Sequence, residues 1–401
     1  MLTKSKKGIF ATLAVLTLVT ATALTGCGDG ASTSSSGDTI QIGALVDKSG
    51  KGADWGRKNE IAMNIAVEEI NASGGINGSP IELLVRDTNG RNEEAVNLTR
   101  SLAGQGVAAI VGPFFSGECE VAFPQANQLQ VPIISPSSAK AGISENNRPW
   151  AFRNSMTDDK LLREATPRFV KAFDVKTVVV LHDERDAWSK AVGTDDLPRE
   201  FKAAGVEILN EGNYFSFNTG ETNFSAIVTQ VRNLNPDAIA FGGLYNEAAA
   251  FAREMERQGL KIPVLGGVGM YAGALIQQGG TAVENFVATS SWNVDSEDEQ
   301  ARSFVEKFKP QAAQITPADP LPGSFEANHY ETIYMIAHVL EQAGVDHTTP
   351  TEEVRLALRD GFANLKDFKG ITGLTSIDEK GDGIKTIYPL VVREGRFEIL
   401  E

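Results

Sequence analysis

The sequence predicts an α/β protein made of two doubly wound parallel-sheet domains. Short apolar runs alternate with helix-period segments along most of the chain, and the alternation forms two successive series of four units. Of the 401 residues, 42% are hydrophobic and 22% charged, enough for more than one core at ~150 residues per domain. The formal net charge of −15 opposes nucleic-acid binding, which requires basic faces. Two cysteines exclude a disulfide scaffold and a multi-cysteine metal cluster. The histidines, His182, His329, His338 and His347, are too scattered to suggest a metal site, and no cofactor is expected.

The chain opens with a segment that reads as an address. Lys4, Lys6 and Lys7 precede an apolar run from Ile9 to Leu24, interrupted by Thr12, Thr17, Thr20 and Thr22. It falls short of the ~20 apolar residues of a membrane span and reads as a signal-peptide core. It ends in Leu24-Thr25-Gly26-Cys27, which resembles a bacterial lipobox, implying cleavage after residue 26 and lipidation of Cys27. Residues 27–38 then form a Gly/Ser-rich tether. Cys119 is expected to be a buried apolar residue and the remaining free thiol.

The first series starts at Ile40–Val46, followed by a helix with Ala62, Ile65, Ala66 and Ile70 on one face. The turn Asn71–Pro80 leads into a strand at Ile81–Asp87. A helix near 93–105 precedes the strand 107–112, and a helix near Cys119–Leu129 precedes the strand 131–135. The second series begins with a helix bearing Leu161, Ala165, Phe169 and Phe173, then the strand Thr177–Asp183. A helix at 190–204 feeds a strand at 206–214, and Phe224, Ile227, Val228, Val231 and Leu234 form an amphipathic stripe before the strand 238–243. A helix at 247–258 and a strand at 262–267 complete it.

The last third reads as a strand at Phe286–Trp292 and helices near 297–309, 326–343 and 351–360. Two β-runs around Glu394-Gly395 form a hairpin signal that can complete an earlier sheet. Two domains with more than one chain crossing form a hinge, and the cleft between such domains is where small ligands sit.

The opening from Ile40, with Ser49-Gly50, Trp55-Gly56, Glu69-Ile70-Asn71 and the Gly74–Gly78 turn, resembles the type I periplasmic binding proteins of the leucine/isoleucine/valine-binding class. VAAIVGPFFSGE, VPIISPSS, HDERDAWSKAVG, FGGLYNEAAAFAREMERQGL and DEKGDG extend the resemblance in the expected order. It implies a Venus-flytrap pair of lobes joined by three crossovers. One lobe would hold 39–153 plus 288–380, the other 154–287 plus 381–401. It also implies a monomer that closes on a small solute outside the cytoplasm and delivers it to an ABC permease with a cytoplasmic ATPase.

VGPFFSGE puts Ser116 at the start of a helix just past a strand, where exposed N–H groups and a hydroxyl suit a carboxylate; the alternative is a plain helix cap. The resemblance favours the carboxylate and adds Ser137 and Ser138 to the cradle. It also implies that Ala139 stands where amino-acid binders carry a threonine. Trp55 would stack on the ligand or plug the core, and Phe115 would shape the same wall. Trp188 would close over the solute from the second lobe, with Tyr245, or Leu244 one register earlier. In amino-acid binders an acid after the strand at 262–267 pairs the ligand ammonium, but this chain has Gly267-Val268-Gly269. Either Glu118, Glu247 or Glu326 serves instead, or the ligand lacks an α-amine.

Other patterns carry less. Gly267–Ala272 matches a dinucleotide-binding spacing but follows a late strand without the acid that motif needs. Asp378–Gly383 has Lys380 and Pro389 at calcium-ligand positions and reads as a turn. With no GxSxG, HExxH or supported Cys–His pairing, an enzyme is not expected. The rival function is a ligand-sensing lipoprotein that presents an amide or aromatic acid to a membrane receptor.

Overall fold

The computed structural model describes residues 38–401; the expected signal peptide, Cys27 and nearly all of the tether lie outside them. The strands of the first lobe are β1 (Ile40–Val46), β2 (Ile81–Asp87), β3 (Ala109–Val111), β4 (Ile133–Ser135) and β5 (Ala151–Arg153). Between them run α1 (Ala53–Ala72), α2 (Asn92–Gly104) and α3 (Ser116–Leu129). All strand pairs are parallel, in the order β2-β1-β3-β4-β5. Ile42, Ala44 and Val46 enter the core on one face while Leu45 enters that on the other. Both faces are therefore buried, as expected of a parallel sheet flanked by helices.

Local chemistry sets the register of this lobe. α1 stops where Gly74 and Gly75 take positive φ, and Asn71 clasps the start of β2 through Nδ2 to Ile81 O (2.9 Å) and Ile81 N to Oδ1 (2.7 Å). At the other end of α1, Gly56 lies so close to the end of β1 that a Cβ there would be 1.8 Å from Asp47 O. Only glycine permits that approach, and it sets the position of the adjacent Trp55.

The second lobe repeats the scheme after α4 (Asp158–Phe173). Its strands are β6 (Thr177–Asp183), β7 (Glu207–Ile208), β8 (Phe215–Phe217), β9 (Ala238–Gly242), β10 (Val264–Gly266) and β11 (Phe286–Ser290). The helices are α5 (Ala187–Ala191), α6 (Leu197–Ala203), α7 (Ser225–Leu234), α8 (Tyr245–Arg257) and α9 (Gly273–Gly279). Its parallel core, β7-β6-β9-β10-β11, has the same spatial order as the first sheet. Three further helices, α10 (Glu299–Ala312), α11 (Ser324–Gln342) and α12 (Thr351–Ala363), pack their apolar residues into the first lobe's core.

The structure departs from the sequence expectations at several places. β5 is an additional strand reached without a helix. The helix expected over 190–204 is broken by a wider turn at Val192–Asp196, and Leu234 ends its stripe exposed. A small antiparallel sheet is new: β12 (Phe368–Gly370), β13 (Gly373–Ile377) and β14 (Gly383–Ile384). The terminal hairpin forms as β15 (Tyr388–Arg393) and β16 (Arg396–Ile399), and joins β11 antiparallel, so the second sheet is mixed rather than wholly parallel. Its turn residues Glu394 and Gly395 both have positive φ, as a tight hairpin needs.

The chain passes between the sheets after β5, after β11 and after β14. The second and third passages fall later than divisions at 288 and 381: Ala288–Ser290 still pair with β15, and Gly383–Ile384 still pair with β13. One buried ion pair ties the first passage to the third, and another ties the third to α11. Arg153 Nε and Nη2 donate to Asp382 Oδ1 at 2.8 and 2.6 Å, and Lys385 Nζ lies 2.6 Å from Glu331 Oε1.

Candidate functional site

In each sheet the strand order reverses around its first strand, and the crevice beyond the carboxyl ends there is the usual ligand site of open α/β sheets. The two crevices face each other across a small, partly open cavity of about 20 Å³. Trp55 follows β1, Phe114, Phe115 and Ser116 follow β3, and Ser137 and Ala139 follow β4. From the second sheet come Asp186 and Trp188 after β6, Leu244 after β9, and Val268 with Gly269 after β10. Phe325, near the start of α11, completes the wall.

The polar end of the cavity lies at the start of α3, whose first N–H groups have no partner within the helix. Ser116 Oγ lies 3.0 Å from Ser138 Oγ and accepts a bond from Lys140 N at 3.3 Å. Ser137 Oγ donates to Phe114 O at 3.0 Å. Ser135 anchors the loop from below, donating to Pro113 O at 2.7 Å and accepting from Ser138 N at 3.1 Å. Hydroxyls and a helix start thus converge on one end of the cavity, an arrangement suited to a carboxylate.

The rest of the wall is aromatic. Trp55 stacks on Phe114 at 5.4 Å between ring centroids and meets Phe325 edge-on at 5.4 Å. It also meets Tyr245 of the second lobe edge-on at 4.7 Å. Phe114 lies against the buried His329 ring, whose pKa burial pushes down to about 4, so a neutral imidazole backs this wall. Trp188 is fixed by its indole Nε1–H, which donates to Asp158 Oδ2 at 2.5 Å.

Of the residues singled out from the sequence, Trp55, Phe115, Ser116, Ser137, Ala139, Trp188 and Val268 line the cavity. Ser138 stands behind Ser116 as its hydrogen-bond partner. At the ambiguous register, Leu244 lines the cavity while Tyr245 packs on Trp55. Phe114 and Asp186 lie within segments already recognised, but their contribution depends on side-chain direction. Phe325 carried no signal, because its place depends on how α11 docks.

None of the three glutamates considered for an ammonium lines this cavity. Glu118 turns back to accept from Phe115 N at 3.0 Å, and burial raises its pKa to about 7. Glu247 accepts from Gly220 N at 2.7 Å. Glu326 accepts from Gly323 N at 2.7 Å and faces a neighbouring cleft on the other side of Trp55. The acid that does line the cavity is Asp186. Its Oδ1 accepts from Ser189 N (2.8 Å) and Ser189 Oγ (2.9 Å), and its Oδ2 is paired with Lys51 Nζ of the first lobe. Burial opposes ionisation of Asp186, but the Lys51 ammonium and the Ser189 donors outweigh it and hold the carboxyl below its usual range. Cys119 is buried, and desolvation pushes its thiol up to about 12.

Comparison with known proteins agrees with this architecture. The family model described as periplasmic binding protein matches residues 39–396. The leucine-, isoleucine-, valine-, threonine- and alanine-binding protein of Pseudomonas aeruginosa is 27% identical over 88% of this chain and 89% of its own. Among solved structures, the branched-chain amino acid transporter substrate-binding protein LivJ of Streptococcus pneumoniae, in complex with isoleucine, superposes with a TM-score of 0.77 at 28% identity, covering 90% of this chain and 98% of that one. The leucine-binding protein LivK of Thermotoga maritima gives a TM-score of 0.79 at 26% identity, covering 90% and 97%. With twin sheets opening onto one shared cavity and a family match spanning nearly all of the described residues, the chain belongs to the periplasmic binding protein family.

Proposed function

We propose that this protein binds a small carboxylate with an apolar body, a hydrophobic amino acid or a related acid, and delivers it to an ABC importer. The observation that carries this reading is the cavity itself, with a helix start and serine hydroxyls at one end and aromatic walls from both lobes around the rest. Relatives named for leucine, isoleucine and valine support the substrate class. The protein acts by closing on its ligand rather than by catalysis, and contacts from both lobes favour the closed state. Its partners are a permease and a cytoplasmic ATPase, with the Leu24–Cys27 motif providing a lipid anchor on the outer face of a membrane.

Val268 favours a second reading of the ligand, since an apolar side chain after β10 suits an aromatic or aliphatic acid without an α-amine. Thermal denaturation of the protein lacking its leader, against leucine, isoleucine, valine, phenylalanine, benzoate, 4-methylpentanoate and leucinamide, tests both. Binding raises the melting temperature with occupancy. At least one carboxylate should stabilise the protein and leucinamide should not. Stabilisation by leucinamide alone would overturn the carboxylate reading.

A further inference from the structure

We propose that Asp186 is the amine-selecting carboxylate of this cleft, offering Oδ2 to a ligand's α-ammonium in the place held by Lys51 Nζ. The inference rests on the carboxylate reading above and names the group that recognises the other end of an amino acid.

An α-ammonium carried into an aromatic cavity without a partner is costly, so an amino-acid ligand requires an acceptor. The other buried acids nearby present no oxygen to the cavity. Asp158 has both oxygens engaged, Oδ2 by Trp188 Nε1 and Oδ1 by Val268 N (3.1 Å) and Thr289 Oγ1 (3.3 Å), and it stands behind the wall. Glu118, Glu247 and Glu326 line no part of the cavity.

Asp186 differs in three respects. It lines the cavity, and its Oδ1 is fixed by two Ser189 donors, which leaves Oδ2 as the outward atom. Oδ2 already receives an ammonium, that of Lys51, so the position suits this group chemically. Its segment also lies against that of the carboxylate cradle: a Cβ on Gly117, next to Ser116, would lie 3.7 Å from the Cβ of Ala187, next to Asp186. An α-amino acid, whose two charged groups share one carbon, fits such neighbouring partners.

Lys51 makes the exchange feasible. Its side chain is 30% exposed, lies 4.1 Å from the Phe115 ring centre and ends a flexible stem that can return to water. One ammonium replaces another, so Asp186 is never left buried and unpaired. When the ligand lacks an amine, Lys51 stays in place and keeps the pair neutral. Lys51 therefore competes with the amine, and the two residues set amine selectivity in opposite directions.

Calorimetric titration of the wild type, Asp186→Asn and Lys51→Met tests this with two probe pairs: leucine and 4-methylpentanoate, and phenylalanine and 3-phenylpropanoate. Asparagine retains an acceptor for Ser189, and far-UV circular dichroism checks the fold. In Asp186→Asn, the ratio of amino-acid to des-amino affinity should fall by about ten- to a hundredfold. In Lys51→Met it should rise. Equal weakening of both members by Asp186→Asn, or a fall in the ratio for Lys51→Met, would reduce the pair to an interlobe tie and overturn the proposal. A wild type that binds only the des-amino members would overturn it while leaving the carboxylate reading intact. Binding of no member would count against both.

Discussion

Trp55 of the first lobe and Tyr245 of the second meet edge to face, 4.7 Å between ring centroids, so one contact both walls the cavity and holds the lobes together. Trp55 also touches Phe114 and Phe325, and the apolar core of the second lobe continues through it into the first. Trp55→Ala should weaken ligand binding by about 2 kcal/mol or more, as expected of a buried aromatic anchor. Small-angle scattering should show a larger radius of gyration for the ligand-free variant, because the closed state loses an interlobe contact. An unchanged radius together with unchanged affinity would assign Trp55 to local packing alone.

Gly56 holds Trp55 in place through its close approach to Asp47 O. A methyl group there cannot be accommodated without moving backbone, since the partner atom at 1.8 Å is a carbonyl rather than a flexible side chain. Gly56→Ala should destabilise the protein by about 1–3 kcal/mol or more, measured by urea denaturation, and weaken ligand binding as well.

Glu118 provides a pH signature. Burial raises its pKa to about 7, so the folded protein holds this proton more tightly than the unfolded chain does. Its share of stability is fully present below about pH 4 and is lost as pH rises through 7. Glu118→Gln keeps an acceptor for Phe115 N and removes the titration. Relative to wild type, the variant should gain stability from pH 5 to pH 8, approaching roughly 3 kcal/mol. Denaturation midpoints measured across that range check it, and a constant difference would contradict it.

The buried pair at the third passage should show strong coupling. Lys385 Nζ contacts Glu331 Oε1, Asn328 Oδ1 and Thr372 Oγ1, all buried. Lys385→Met leaves Glu331 uncompensated and should cost about 3–5 kcal/mol, whereas the double change with Glu331→Leu should recover a large part. A double-mutant cycle in denaturant measures the coupling, and simple additivity would refute it.

The sheets were legible in the sequence because each apolar run sits between turn signals, and because Ala62, Ile65, Ala66 and Ile70 give a clean helical face. Much of the cavity was legible through the family resemblance, with Ser116 also marked by its place at a helix start. Trp55, Ser116, Ser137 and Trp188 all lie in segments directly after strands, where an open α/β sheet presents its ligand site. What escaped depends on three-dimensional placement. Phe325 reaches the cavity by the docking of α11 far along the chain, and Asp186 reads locally as a helix cap. The β12–β14 sheet is short and leaves Leu374 and Ile384 exposed, so neither length nor periodicity marks it. The break at Val192–Asp196 leaves the apolar pattern intact, so periodicity does not mark it.

The proposed site turns on Ser116 and the start of α3 holding the ligand's carboxylate. Calorimetric titration of wild type and Ser116→Ala with the best-binding acid and its neutral amide decides this. The wild type should prefer the acid, and Ser116→Ala should lose much of this preference, by about 1.5–3 kcal/mol for a hydrogen bond to a charged group. Equal affinity for acid and amide in both proteins would contradict it.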